Sequence, residues 1–211
     1  CAEGVYAIIG LHPIHTGASY HDEKELGEGG KEFTSRGEIF DKDAYRELLK
    51  DPKVVAIGEC GLDYYRMDEE SIEKHKSRAS MDSARHDSAE SNAYMDALEI
   101  LKKYSKVKGD VHFFAGNLEV AKAFLDFGFT LSFTGVITFT HDYDEVIKAT
   151  PLDMIMSETD SPYVTPTPYR GKRNEPMYVS EVVKKISEIK GLPLEEVSRA
   201  IVANARRVFS I

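Results

Sequence analysis

Short runs dominated by apolar residues recur along this chain, and the stretches between them place apolar residues at helical spacing, an order that few folds accommodate. Strands are expected from Val5 to Ile9, Lys53 to Ile57, Asp110 to Phe114, Thr130 to Phe133 and Asp153 to Met156. Strands this apolar need cover on both faces, which is the condition of a parallel sheet flanked by helices. Helices are expected near Asp41 to Lys50, Ala93 to Tyr104 and Leu118 to Phe127, the last with Asn117 placed to cap its start and Gly128 to end it. Two more close the chain, Pro176 to Lys190 with Gly191 as its stop and Leu194 to Phe209 with Pro193, Glu195 and Glu196 marking the first turn. The pattern is that of βα units in an α/β protein.

Two stretches break it. Residues 15 to 37, rich in Gly, Glu, Lys and Ser, read as a long surface loop. From Glu73 to Asn92 charge and serine dominate, and no strand can be written. A closed barrel of eight βα units takes about 250 residues, so a chain of 211 with five visible strands is short for closure.

A hydrophobic content of 42% supports one substantial core, and the expectation is a single domain over residues 1–211. The net charge of −9 argues against a protein that coats nucleic acid by releasing counterions. It leaves a nuclease open, because bound divalent cations reverse the local potential. No apolar run approaches a membrane span, and Cys1-Ala2-Glu3-Gly4 lacks the features of a signal peptide. The expectation is therefore a cytoplasmic protein with no membrane association and no obligate protein partner. Cys1 and Cys60 form neither a disulfide framework nor a metal pair by spacing, and Cys60 reads as a small core residue.

Chemistry concentrates where the strands end. The strand closing at Met156 runs into Ser157-Glu158-Thr159-Asp160-Ser161-Pro162-Tyr163, which makes Asp160 a candidate metal ligand or general base, or else an ordinary turn former before a proline loop. The strand from Lys53 ends in Glu59-Cys60-Gly61-Leu62-Asp63-Tyr64-Tyr65, another carboxylate at another strand end. His112 lies inside an otherwise apolar run, as either a hydrogen-bonded core histidine or the third member of a Glu, His, Asp set able to hold one or two hydrolytic metal ions. Arg170, Lys172 and Arg173 put three positive charges beside the Asp160 loop, to hold a phosphate backbone or to balance nearby acids in solvent. Tyr64, Tyr65, Tyr163 and Tyr169 are packing residues or platforms for bases.

Longer motifs carry a family resemblance. Ala56-Ile57-Gly58-Glu59-Cys60-Gly61-Leu62-Asp63-Tyr64-Tyr65 and Glu158-Thr159-Asp160-Ser161-Pro162-Tyr163 resemble signatures of the TatD-type metal-dependent deoxyribonucleases. So do Gly10-Leu11-His12-Pro13, the stretch from Val111-His112-Phe113-Phe114 through Gly128 to Gly135, the run from Pro168 to Pro176, and Asn204-Ala205 to Phe209. The resemblance implies an amidohydrolase-like TIM barrel that hydrolyses phosphodiester bonds in DNA with divalent metal ions, two of them, Mg, Mn or Zn. DNA would be the substrate, taken as single strands or at ends by an exonuclease. Glu59 matches the carboxylate bridging the two metals, His112 a histidine on one metal, and Asp160 the aspartate that binds metal and handles the proton of the water. His12 matches the histidine near the substrate phosphate, with Arg170, Lys172, Arg173 and Asn174 supporting the strand.

The departures from that family pattern shape the expectation too. Nothing like the family's opening His-x-His strand precedes Val5. Where the family places a strand ending in His-x-Arg-Asp, the chain reads Ser83-Ala84-Arg85-His86-Asp87-Ser88, so His86 is either that metal ligand or a simply exposed histidine. The expected fold is thus a TIM (β/α) barrel lacking its first strand and one mid-chain strand, as in a piece of a longer protein with residues absent between about Lys76 and His86. The family's His-Pro-His becomes His12-Pro13-Ile14-His15, which leaves His15 displaced. The same barrel acting on another ester or amide, or a catalytically inactive scaffold, are the competing readings.

Overall fold

The computed structural model describes residues 3–12, 19–21, 33–62 and 89–211. His15, Tyr64, Tyr65 and His86 lie outside them, as does most of the Glu73 to Asn92 stretch. The chain divides into two compact units, Cys1–Ala97 and Leu98–Ile211.

In the first unit, β1 (Ala7–Ile9) and β4 (Val54–Ile57) pair in parallel, with Ile8 opposite Ala56 and Ile9 opposite Ile57. The ladder extends past the strand when the Gly58 N–H donates to the Ile9 carbonyl at 2.9 Å. A parallel pair needs a crossover. Between the two strands in sequence comes α1 (Lys42–Leu48), whose N-cap Asp41 accepts from the Asp43 and Ala44 amides at 3.0 Å each. Gly10 follows β1 because nothing larger fits: a β-carbon there would lie 2.4 Å from the Gly58 carbonyl oxygen. The expected loop over residues 15 to 37 instead contains an antiparallel pair, β2 (Ser19–His21) with β3 (Phe33–Ser35). Neither strand has the apolar character on which the strand expectations relied.

The second unit begins within α2 (Ala89–Tyr104) and is organised on a parallel sheet in the order β5 (Asp110–Val111), β6 (Thr130–Phe133), β7 (Ile155–Ser157). Every residue of β6 is buried, as befits a strand covered on both faces. Between β5 and β6 comes α3 (Leu118–Phe127), and between β6 and β7 comes α4 (Asp144–Ala149), a helix too short to be read from periodicity. The caps of α3 are those expected: Asn117 accepts the Val120 amide at 3.0 Å, and Gly128 takes the left-handed conformation at φ 89°. After β7 the chain forms a long loop, then α5 (Val179–Lys190), preceded by one 3₁₀ turn at Pro176–Tyr178, and α6 (Leu194–Phe209). Both helices pack on β7 through their apolar stripes, Val182 and Ile186 on α5 and Val197 and Ile201 on α6, all buried with Leu131, Phe133 and Ile155 of the sheet.

Four of the five expected strands have different limits, and for two of them the local reason is visible. Strand β5 stops at Val111 because Phe113 takes a left-handed backbone, φ 49°, which places His112 just beyond the strand. The expected strand from Asp153 starts as a 3₁₀ turn, Leu152–Met154, entered from Pro151, and the strand proper ends at Ser157. Asn204 of α6 pins that turn, donating to the carbonyls of Leu152 at 2.9 Å and Ile155 at 2.7 Å from a buried position. Cys60 is exposed rather than a core residue. No helix among the described residues is long and apolar enough to cross a membrane.

Candidate metal and phosphate site

Within the first unit, the carboxyl ends of β1 and β4 bring together two expected site residues. His12 Nε2 and Glu59 Oε2 lie 2.9 Å apart, both partly exposed. Glu59 follows Gly58 through a cis peptide bond.

Within the second unit, the strand ends build a polar cluster around His112. Side chains alternate along a strand, so Thr130 and Ser132 of β6 point to the face opposite Leu131 and Phe133. There the Thr130 hydroxyl donates to Asp110 at 2.7 Å, and the Ser132 hydroxyl donates to Glu158 Oε1 at 2.6 Å. The same oxygen accepts the Phe113 amide at 2.6 Å, and Glu158 Oε2 contacts His112 Nδ1 directly. Burial pushes the Glu158 carboxyl up, but the hydrogen bond and charge of His112, with the Ser132 and Phe113 donors, outweigh it and hold the group below the ordinary carboxylate value. Asp110 goes the other way. Its burial dominates its hydrogen bonds to Thr130 and Ser132, and with the nearby Glu158 charge it is pushed up to about 6.

Asp160 opens the loop after β7 in a left-handed backbone, φ 54°, a conformation that persists in a non-glycine residue only when its surroundings hold it. Here the surroundings are explicit. Asn174, buried, donates from Nδ2 to the carbonyls of Thr159 at 2.8 Å and Tyr163 at 2.6 Å, while its Oδ1 accepts the Glu175 amide at 2.9 Å. Its side chain is committed to the backbone on both sides of the Asp160 turn. Gly135 lets the loop close down, since a β-carbon there would sit 2.3 Å from the Val164 carbonyl oxygen. Arg170 is likewise engaged within the loop, donating to the Thr165 carbonyl at 3.1 Å with its guanidinium 3.8 Å from the centre of the Phe139 ring. Tyr169 stacks on Tyr178 at 4.0 Å. Lys172 and Arg173, by contrast, are exposed, with no side-chain hydrogen bond or ion pair among the described residues. Ser161 Oγ is buried with no hydrogen-bond partner among them.

The expected residues thus fall into two groups, His12 with Glu59 and His112 near the Asp160 loop's own strand β7. Glu158 was not expected in a role, although it stands two residues before Asp160. Its signal was the pair of polar residues at alternate positions of β6, which buried strands carry only when something polar faces them. Among the described residues no three His, Cys, Asp or Glu side chains come together as a metal cage. The donor chemistry nevertheless suits a divalent cation: imidazole and carboxylate, with the one histidine backed by a carboxylate on its other ring nitrogen, as metal-binding histidines commonly are.

The family model described as TatD related DNase matches residues 2–210. An uncharacterized metal-dependent hydrolase of Bacillus subtilis (strain 168), YabD, is 36% identical over 98% of this chain and 78% of its own length. YcfH of Escherichia coli (strain K12), also described as an uncharacterized metal-dependent hydrolase, is 33% identical over 84% of this chain and 71% of its own. Among solved structures, the TatD homolog YjjV of Escherichia coli K12 superposes with a TM-score of 0.66 at 21% identity, over all of this chain and 78% of that one. A TatD family hydrolase of Entamoeba histolytica gives 0.68 at 24% identity, over 97% and 74%. These likenesses show the fold, the α/β barrel class with parallel strands expected from the sequence. With a match across nearly its whole length, the chain belongs to the TatD related DNase family of metal-dependent hydrolases.

Proposed function

We propose that this protein cleaves phosphodiester bonds in DNA, working as an exonuclease on single strands or ends. The residues that the family resemblance offers as ligands for divalent ions, two of them, Mg, Mn or Zn, are Glu59, His112 and Asp160. The observation that carries the reading is the backing of His112 Nδ1 by the Glu158 carboxylate, a pairing that serves a ligand better than it serves a packing residue. When bound, such ions supply Lewis acidity toward water and neutralise charge gathering on the phosphoryl oxygens. The protein's own share is positional. Asp160 takes the proton of the attacking water from a turn that Asn174 holds rigid. His12, which lies beside Glu59, would meet a phosphate oxygen, and the exposed Lys172 and Arg173 the flanking backbone. Arg170 contributes by bracing the loop that carries them. The family match across residues 2–210 supports reading residues 1–211 as one hydrolase domain.

Cleavage of end-labelled single-stranded DNA with Mg or Mn tests this directly. Turnover is expected to need the metal, to stop on chelation, and to fall about 10³-fold or more in Asp160→Asn. A folded protein that binds Mn yet leaves DNA intact would overturn the nuclease reading and turn attention to other esters or amides.

A further inference from the structure

We propose that Glu158 is a positioning residue that fixes His112 in the tautomer carrying its proton on Nδ1, so that Nε2 is the atom offered to metal. The inference rests on the reading of His112 as a metal ligand and adds to it the group that makes the ligand.

Three features support it. Glu158 Oε1 collects two donors, the Phe113 amide and the Ser132 hydroxyl, each at 2.6 Å, which is what an ionised carboxylate draws. An ionised carboxylate only accepts, so the His112 nitrogen facing Oε2 must be the one bearing hydrogen. Second, the carboxylate is anchored before it reaches the imidazole. Ser132 belongs to β6, the Phe113 amide comes from just past β5, and the Glu158 amide itself donates to the Phe133 carbonyl at 3.1 Å, so all three strands of the sheet fix its place. Third, Phe113 adopts φ 49°, a costly backbone for a bulky residue, in the conformation that aims its N–H at Glu158. Strain kept to complete a carboxylate's hydrogen bonds points to a site that needs that carboxylate in one orientation.

The tautomer can be read without metal or turnover, from the nitrogen chemical shifts of His112 in the metal-free full chain near pH 8. The expected native spectrum has the proton on Nδ1; a proton on Nε2 overturns the inference, and this reading needs no variant. Glu158→Gln keeps the shape while removing the charge, and is expected to mix the tautomers and to weaken Mn binding by calorimetry about 10- to 100-fold. A role confined to packing would lower thermal stability but move neither readout. If Glu158→Gln retains both tautomer and affinity, or changes the tautomer alone, the inference falls. His112→Ala separates this from failure of the underlying reading. If it weakens Mn binding where Glu158→Gln does not, His112 remains the ligand and only the positioning role is lost; if it leaves Mn binding intact, both are overturned.

Discussion

Among the described residues two histidine–carboxylate pairs sit at strand ends, and their settings differ. The Glu59 side chain is 50% exposed and its contact with His12 spans 2.9 Å. The Glu158 side chain is 20% exposed, touches His112, and takes two further donors from neighbouring strands. Both pairs join the same functional groups, yet only one is woven into its sheet. A carboxylate held by three donors inside a sheet is part of the architecture, whereas the contacts of one that is half exposed are screened by solvent.

Removing each carboxylate in turn should affect the protein very differently. Glu158→Ala strands the Phe113 amide, the Ser132 hydroxyl and the His112 imidazole together, and is expected to cost about 3 kcal/mol of stability in denaturant titration. Glu59→Ala should stay within about 0.5 kcal/mol of the native protein while losing hydrolysis. Equal costs for the two would show that Glu59 is as structural as Glu158 and would dissolve the distinction.

A second comparison lies inside the second unit, between two carboxylates shifted in opposite directions. Asp110 is raised to about 6 in the folded metal-free protein, above an unfolded value of about 3.9, so the native state binds the extra proton between those values. Its contribution is therefore present below about pH 4 and is lost as pH rises through 6, on the order of 3 kcal/mol in all. Glu158 is lowered, so its contribution is present above its unfolded value of about 4.3 and disappears as pH falls through the folded one. Asp110→Asn keeps an acceptor for the Thr130 hydroxyl without the charge. It should remove the decline between pH 4 and 6 seen by thermal melting and leave the acid limb in place; a variant whose pH profile overlays the native one would remove Asp110 from the account.

Much of this was readable from the sequence, for reasons that stop at identifiable places. Leu118–Phe127 with Asn117 and Gly128 was legible because cap chemistry is local. His112, Glu59 and Asp160 were legible as strand-end residues of chemically suitable type. The pairing of Ser19–His21 with Phe33–Ser35 was not, because S-Y-H and F-T-S carry no apolar alternation and their register depends on contacts between chain segments. Nor was the division of labour among neighbouring polar residues. The family resemblance offers Asn174 and Arg170 as substrate contacts; what the sequence does not show is that their side chains also bond the Thr159, Tyr163 and Thr165 carbonyls, which only three-dimensional closure of the loop decides. Glu158 stands two residues from Asp160 in sequence and serves a different strand because its partner Ser132 arrives from β6.

That loop offers the smallest and most specific of the contrasts. Arg170 braces the Thr165 carbonyl and lies over Phe139, while Lys172 and Arg173 reach solvent two and three residues later. Arg170→Ala is therefore expected to cost about 1 kcal/mol of stability, from a lost hydrogen bond and a lost cation–π contact. Lys172→Ala and Arg173→Ala should change stability by less than about 0.5 kcal/mol. If the protein takes DNA as proposed, each would remove one phosphate contact, so the salt dependence of binding to a single strand should flatten by about 0.7 per charge, uniformly across sequences. Fluorescence anisotropy over a salt series, with a metal-free protein so that no strand is cut, measures it. If Arg170→Ala flattens the slope as much as Lys172→Ala does, its guanidinium leaves Phe139 for the phosphate when DNA binds, and the loop is a moving part rather than a fixed brace.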